Sequence, residues 1–165
     1  MTGQTEQLTV RTDQFADRGE IPKTHAHSVA GGDNKSPHLE WSAVPAGTRS
    51  VAVTCWDPDA PTTVGFSHWV RVGIPPSRTT LPEGSGTESG EWQDGITDWG
   101  AKGYGGMAPP SGDPAHQYQF TVWALDAETK DLGLGDTTTY AMFRFLIRGH
   151  VLASGTITGL FAADG

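Results

Sequence analysis

Ser50-Val51-Ala52-Val53-Thr54-Cys55-Trp56 runs directly into Asp57-Pro58-Asp59-Ala60-Pro61. The first seven residues are rich in β-branched and aromatic side chains, which suit the pleated, half-buried surface of a strand. Proline then removes the backbone donor that a further ladder bond would need. Asp57 therefore sits where a sheet stops, as the rim of a site does. Carboxylates at strand ends also serve as turn formers that bond nearby amides, and local sequence leaves both readings open.

Working outward, period-two alternation marks further strands at Ser67–Ile74 and Gln117–Leu125, each bounded by Gly, Pro or Asp. Weaker strands are expected at Gln7–Thr12, around Leu39–Trp41 and at Val151–Thr158. One helix is expected at Thr137–Arg148, where Tyr140, Phe143 and Ile147 share a face, with Asp136 or Thr137 as cap and Gly149 as stop. Leu81–Gly106 has little periodicity and reads as a long surface loop, a kind often functional. The fold class is mainly β: an antiparallel sandwich of two sheets with a few short peripheral helices. A length of 165 residues suits one hydrophobic core, so a single domain over 1–165 is expected.

The formal charge of −8 argues against an electrostatic grip on nucleic acid or anionic lipid. The single cysteine, Cys55, has no partner for an internal bridge and reads as a buried thiol. Met1–Val10 lacks a basic stretch followed by an apolar one, and no segment has the length of a membrane span, so a cytoplasmic location is expected.

Three side chains stand out chemically. Alternation puts His68 on one face with Val70, Val72 and Ile74, pointing to the apolar side. His116 and Tyr118 emerge on one face of their strand, roughly 7 Å apart, where an imidazole and a phenol can both donate to phosphate oxygens. The preceding run Gly103-Tyr104-Gly105-Gly106-Met107-Ala108-Pro109-Pro110-Ser111-Gly112 permits close backbone approach, and its amides suggest an anion nest. Its Gly103-x-Gly105-x-x-Ala108 spacing is not a dinucleotide fingerprint, because Pro109-Pro110 forbids the helix that motif must open. Asp57-x-Asp59 after a strand is compatible with an aspartyl-phosphate nucleophile, although the threonine falls late, at Thr62. Asp57, His68 and His116 are also chemically competent as metal ligands. No serine stands in a Gly-x-Ser-x-Gly context.

In order and spacing, the chain resembles the phosphatidylethanolamine-binding protein family, in its bacterial, Raf-kinase-inhibitor-like branch. The resemblance is carried by Gly19-Glu20-Ile21-Pro22, Ser36-Pro37-His38-Leu39-Glu40-Trp41, Val44-Pro45-Ala46-Gly47-Thr48-Arg49-Ser50 and Asp57-Pro58-Asp59-Ala60-Pro61-Thr62. It continues through His68-Trp69-Val70, Ile74-Pro75, Asp98-Trp99-Gly100, Gly103-Tyr104-Gly105-Gly106, Pro109-Pro110, His116-Gln117-Tyr118-Gln119-Phe120 and Gly149-His150-Val151-Leu152-Ala153. It implies a sandwich with a small pocket for phosphate-like anions, formed by Asp57, Asp59, His68, Pro110, His116 and Tyr118, with Gly106 and Ala108 in the glycine-rich wall. It also implies a cis Ala60–Pro61 bond. Met107-Ala108 stands where bacterial relatives read Pro-Cys, and Gly159-Leu160-Phe161-Ala162-Ala163 replaces the usual aromatic and basic tail.

The functional expectation is a non-enzymatic binding protein for phosphorylated ligands or headgroups, with a kinase or protease as the modulated partner and no cofactor or metal. Its partners are expected to exclude nucleic acid and stable membrane insertion, and similar bacterial proteins suggest a homodimer with Trp92 or Trp99 at the contact. The alternative is a phosphoester hydrolase or metal-dependent enzyme using Asp57, His68 and His116.

Overall fold

A computed structural model describes residues 5–164; Met1–Gln4 and Gly165, which belong to the leader and domain expectations above, lie outside the described residues. Among the described residues, nine strands form two sheets: β1 (Glu6–Gln7), β2 (Val10–Arg11), β3 (Leu39–Trp41), β4 (Ser50–Asp57), β5 (Phe66–Ile74), β6 (Thr80–Leu81), β7 (Gln93–Asp94), β8 (His116–Leu125) and β9 (Val151–Phe161). The larger sheet has the order β1-β9-β8-β4-β5-β7, the smaller β2-β3-β6. All neighbours are antiparallel except β1 beside β9. Two short helices, α1 (Thr129–Leu132) and α2 (Tyr140–Leu146), accompany them.

Period-two patterning explains the layers. Val51, Val53, Cys55, Tyr118, Phe120, Val122 and Ile157 point one way and bury against Leu39, Trp41 and Leu81 of the smaller sheet. Ala52, Val70, Val72 and Leu125 point the other way and bury against Phe143 and Ile147. The central strands thus carry apolar residues on both faces. Cys55 is buried in the first core, where loss of hydration holds its thiol well above the ordinary pKa.

Several expected boundaries shift for local reasons. Gln7–Thr12 is not one strand: the chain bonds to β9 through β1 and Leu8, then crosses to the smaller sheet as β2. The helix begins later than Thr137, because Gly135 to Thr138 form a turn closed by Gly135 N–H donating to Thr138 Oγ1. Thr139 is the cap, its hydroxyl accepting from Met142 N–H, and Gly149 follows the end at φ 84°. Residues 81–106 are irregular yet not a surface loop. Ser85, Gly86, Thr97 and Tyr104 are buried, and the segment wraps the β5 edge of the sheet.

What anchors that segment is Arg71, a fully buried cation. Its Nε and Nη2 donate to the two oxygens of Asp94 at 2.8 and 2.9 Å, and Nη2 also donates to the Ser85 carbonyl at 2.8 Å. The guanidinium lies over Trp92, 4.4 Å from the ring centroid. Trp92 is therefore held half-buried against the guanidinium.

Candidate functional site

The strand pairing decides where His68 points. Cys55 opposes Trp69, but the next pair along is Trp56 with Ser67, so His68 is an extra residue on β5, a bulge. A bulge breaks alternation and re-aims a side chain. Strict alternation placed His68 with Val70 and Val72; instead those two face α2, while His68 turns to the Tyr118 side of the sheet. A second shift, near Gly73 at φ 78°, returns Ile74 to the first core and away from Val72 as well. Ser67 N–H beside the first bulge donates to Asp98 Oδ2 at 2.7 Å, tying the Asp98-Trp99-Gly100 turn to the site.

Six of the eight expected site residues line one cavity of ≈ 240 Å³: Asp57, His68, Ala108, Pro110 and, side by side on β8, His116 and Tyr118. Two do not. Asp59 is exposed, and its carboxylate accepts from Gln117 N–H at 2.7 Å, clipping the end of β4 to β8. Gly106 is buried behind the wall, with its N–H donating to Asn34 Oδ1 at 2.7 Å. The Gly105 N–H likewise donates to the His68 carbonyl. These two amides are spent on protein partners and are not part of an anion nest. The glycines are needed for close approach: a Cβ on Gly106 would lie 2.4 Å from the His25 carbonyl oxygen. The Ala60–Pro61 peptide is trans, with the turn closed by Thr62 N–H on the Ala60 carbonyl and Asp59 N–H on Asp57 Oδ1.

The sequence reading missed Phe66, Pro61 and Trp99 as lining, and Asn34 and Asp113 as supports. The Trp99 indole stacks on His27, centroids 4.1 Å apart, and meets Phe66 edge-on. Asp113 had one signal, its place three residues before His116, but only the fold shows which nitrogen it meets.

At the centre His116 lies between two carboxylates. Its Nδ1 donates to Asp57 Oδ2 at 2.7 Å and its Nε2 to Asp113 Oδ2 at 2.8 Å. Burial works against the imidazolium, yet the hydrogen bonds and charges of Asp57 and Asp113 outweigh it and raise its pKa. For His68, burial dominates and lowers the pKa, offset in part by the Gly105 carbonyl, which accepts from Nδ1 at 2.7 Å. Burial and then the charge of Asp57 raise the pKa of Tyr118, which stays a phenol and so a donor. The pair of histidines thus divides into one charged and one neutral ring.

A raised pKa in the fold gives His116 a stabilising term complete below its unfolded value and lost as pH rises through the folded one. The stability advantage of the native chain over His116→Asn is therefore expected to shrink as pH rises above about 6.5. Urea midpoints for both proteins across that range measure it, and a constant difference would contradict the ion triad.

Related sequences and structures place the chain in a family. A family model described as phosphatidylethanolamine-binding protein matches residues 11–162. The UPF0098 protein YbhB of Escherichia coli is 45% identical over 157 residues, covering 92% of this chain and 98% of that one. The chain belongs to the phosphatidylethanolamine-binding protein family. A UPF0098 protein of Methanothermobacter thermautotrophicus is 38% identical, covering 93% of this chain and 98% of its own. The crystal structure of Escherichia coli YbcL superposes with a TM-score of 0.89 at 35% identity, covering 96% of this chain and 99% of YbcL. A homologue of this family from Chlamydia trachomatis gives 0.82 at 26%, covering 97% and 100%. Membership carries a binding role and the mainly β sandwich seen here. Among the described residues, no helix is long and apolar enough to cross a membrane.

Proposed function

We propose that this member of the family is a non-enzymatic binding protein whose cavity holds one small oxyanion, the phosphate of a phosphorylated ligand. One observation carries the reading: buried Asp57 orients His116, and His116 Nε2–H already holds an oxyanion, the Asp113 carboxylate, at 2.8 Å. Asp113 belongs to a turn and is 37% exposed, so it can swing into water and yield its place to an outside anion. Phe66, Pro61, Trp99 and Pro110 line the remaining space with hydrocarbon, which limits water and strengthens a charged hydrogen bond. A cavity of this size suits a single small group rather than an extended ligand.

The enzymatic alternative fits less well. Asp57 accepts from Asp59 N–H and from His116, which leaves a poor nucleophile. His68 Nδ1 and His116 Nδ1 are likewise occupied by protein partners. Among the described residues, no group of three or more His, Cys, Asp and Glu has the geometry to hold a metal ion.

Calorimetric titration with inorganic phosphate near pH 6 tests the reading. His116→Ala is expected to abolish binding. Asp113→Ala removes the internal competitor and is expected to tighten binding about tenfold, or 1.4 kcal/mol. Binding unchanged in both variants would move the site elsewhere.

A further inference from the structure

The cavity is lined by acceptors as well as donors, and the acceptors restrict which oxyanion fits. An anion that displaces Asp113 gains one N–H, that of His116 Nε2. Opposite it stands Asp57, an acceptor whose two oxygens are already turned to Asp59 N–H and His116 Nδ1–H, while the Tyr118 hydroxyl in the same lining is a further donor. His68 adds another acceptor. A carbonyl oxygen only accepts, so the contact to Gly105 puts the ring hydrogen on Nδ1 and leaves Nε2 a bare lone pair on a ring that lines the cavity.

The surrounding charge has the same bias. His116 is the cation of the site. Facing it or its neighbours are Asp57 from β4, Asp113 from the turn before β8, Asp98 beside His68 and Asp59 near Tyr118. A dianion with no hydrogen would press lone pairs against Asp57 and His68 Nε2 and meet this field at full charge. A monoanion with a P–OH group would give that hydrogen to one of the same acceptors.

We propose that the pocket selects an oxyanion carrying its own hydrogen, the monoprotonated form of a phosphomonoester, and discriminates against sulfate and phosphodiesters, with Asp57 and His68 as the specificity-determining acceptors. The inference rests on the oxyanion reading above and narrows it. Sites that accept a hydrogen bond from a ligand hydroxyl reject the analogue lacking it, because the site's own buried polar group is left unpaired. Phosphomonoesters lose their second proton near pH 6, whereas sulfate and diesters have none to offer there. By this logic the free monoester, and not a diester headgroup within an intact lipid, is the matching ligand class.

Titration of the intact protein near pH 6 with inorganic phosphate, sulfate and diethyl phosphate is the test. Phosphate is expected to bind about 100-fold more tightly than either hydrogen-free anion. Sulfate or diethyl phosphate within about threefold of phosphate overturns the selectivity while leaving the oxyanion site standing; binding of none of the three rejects the oxyanion reading itself. Asp57→Asn exchanges an acceptor for a potential donor and is expected to bring sulfate to within about threefold of phosphate; an undiminished preference in the folded variant overturns the role of Asp57. A second arm needs no variant. With methyl phosphate as the monoester, which loses its one hydrogen near pH 6, and sulfate as the reference, both anions feel the same loss of charge on His116 between about pH 5 and pH 8, so the ratio of their affinities isolates the phosphate hydrogen. That ratio is expected to collapse towards one, and a ratio independent of pH overturns the proposal.

Discussion

Asp94→Ala is expected to lower the unfolding free energy by about 3–5 kcal/mol, the usual result of breaking a buried ion pair by removing one partner. Arg71 is fully buried between Trp69 and Trp92, and among the described residues Asp94 supplies its only carboxylate contacts. The variant strands that cation without water, with the Ser85 carbonyl and hydroxyl as its remaining acceptors. The effect should reach the binding site. Ser85 and Asp94 belong to the segment that carries Trp99 and Gly105, and its return is fixed by Tyr104 N–H on the Gly86 carbonyl. Denaturant melts of Asp94→Ala, Arg71→Met and a double variant Arg71→Met with Asp94→Leu would separate pair energy from desolvation. The double variant should recover most of the loss, since apolar replacements of a buried pair are often nearly neutral. A loss below about 1 kcal/mol for Asp94→Ala would mean that the guanidinium reaches water.

Gly105→Ala is expected to weaken phosphate binding by at least about tenfold and to cost about 1–3 kcal/mol of stability. The added Cβ would lie 2.3 Å from Trp99 Cδ1 and 2.9 Å from Nε1. Neither side can give easily. The indole is wedged between His27 and Phe66, and the Gly105 backbone is held on β5 by its N–H to the His68 carbonyl and by its own carbonyl on His68 Nδ1. Either Trp99 shifts into the cavity or His68 loses the contact that sets its tautomer, and both outcomes damage the pocket. Combining Gly105→Ala with Trp99→Leu should return much of the stability. Wild-type affinity in the single variant, with an unchanged near-ultraviolet dichroism spectrum, would show that the wall is softer than its packing implies.

Both variants act through the segment between β6 and β8, where the sequence was least legible. Strands β4, β5 and β8 were readable because alternation of apolar residues follows from the two-residue repeat of the pleat, which is local. The same locality put His116 and Tyr118 on one wall, and the turn chemistry of Asp57-Pro58 put the acid at the end of its strand. His68 shows where that reasoning stops. The bulge depends on how many residues β5 sets against β4 between Cys55 and Asp57, a count that belongs to the pair of strands and not to either one. The glycine run was half legible for a related reason: its freedom was visible, but that the Gly105 and Gly106 amides face neighbours depends on Asn34 and β5, which are remote in sequence.

What this sequence determined unaided, then, is the sandwich, the family resemblance and the identity of the acid, the two imidazoles and the phenol, since each follows from repeats and motifs a few residues long. Tertiary structure alone decided the tautomer of His68, the double carboxylate grip on His116 and the removal of Asp59 and Gly106 from the cavity. Those are outcomes of competition for hydrogen-bond partners among segments far apart in the chain, and a donor's partner is chosen only when the fold has brought every rival within reach.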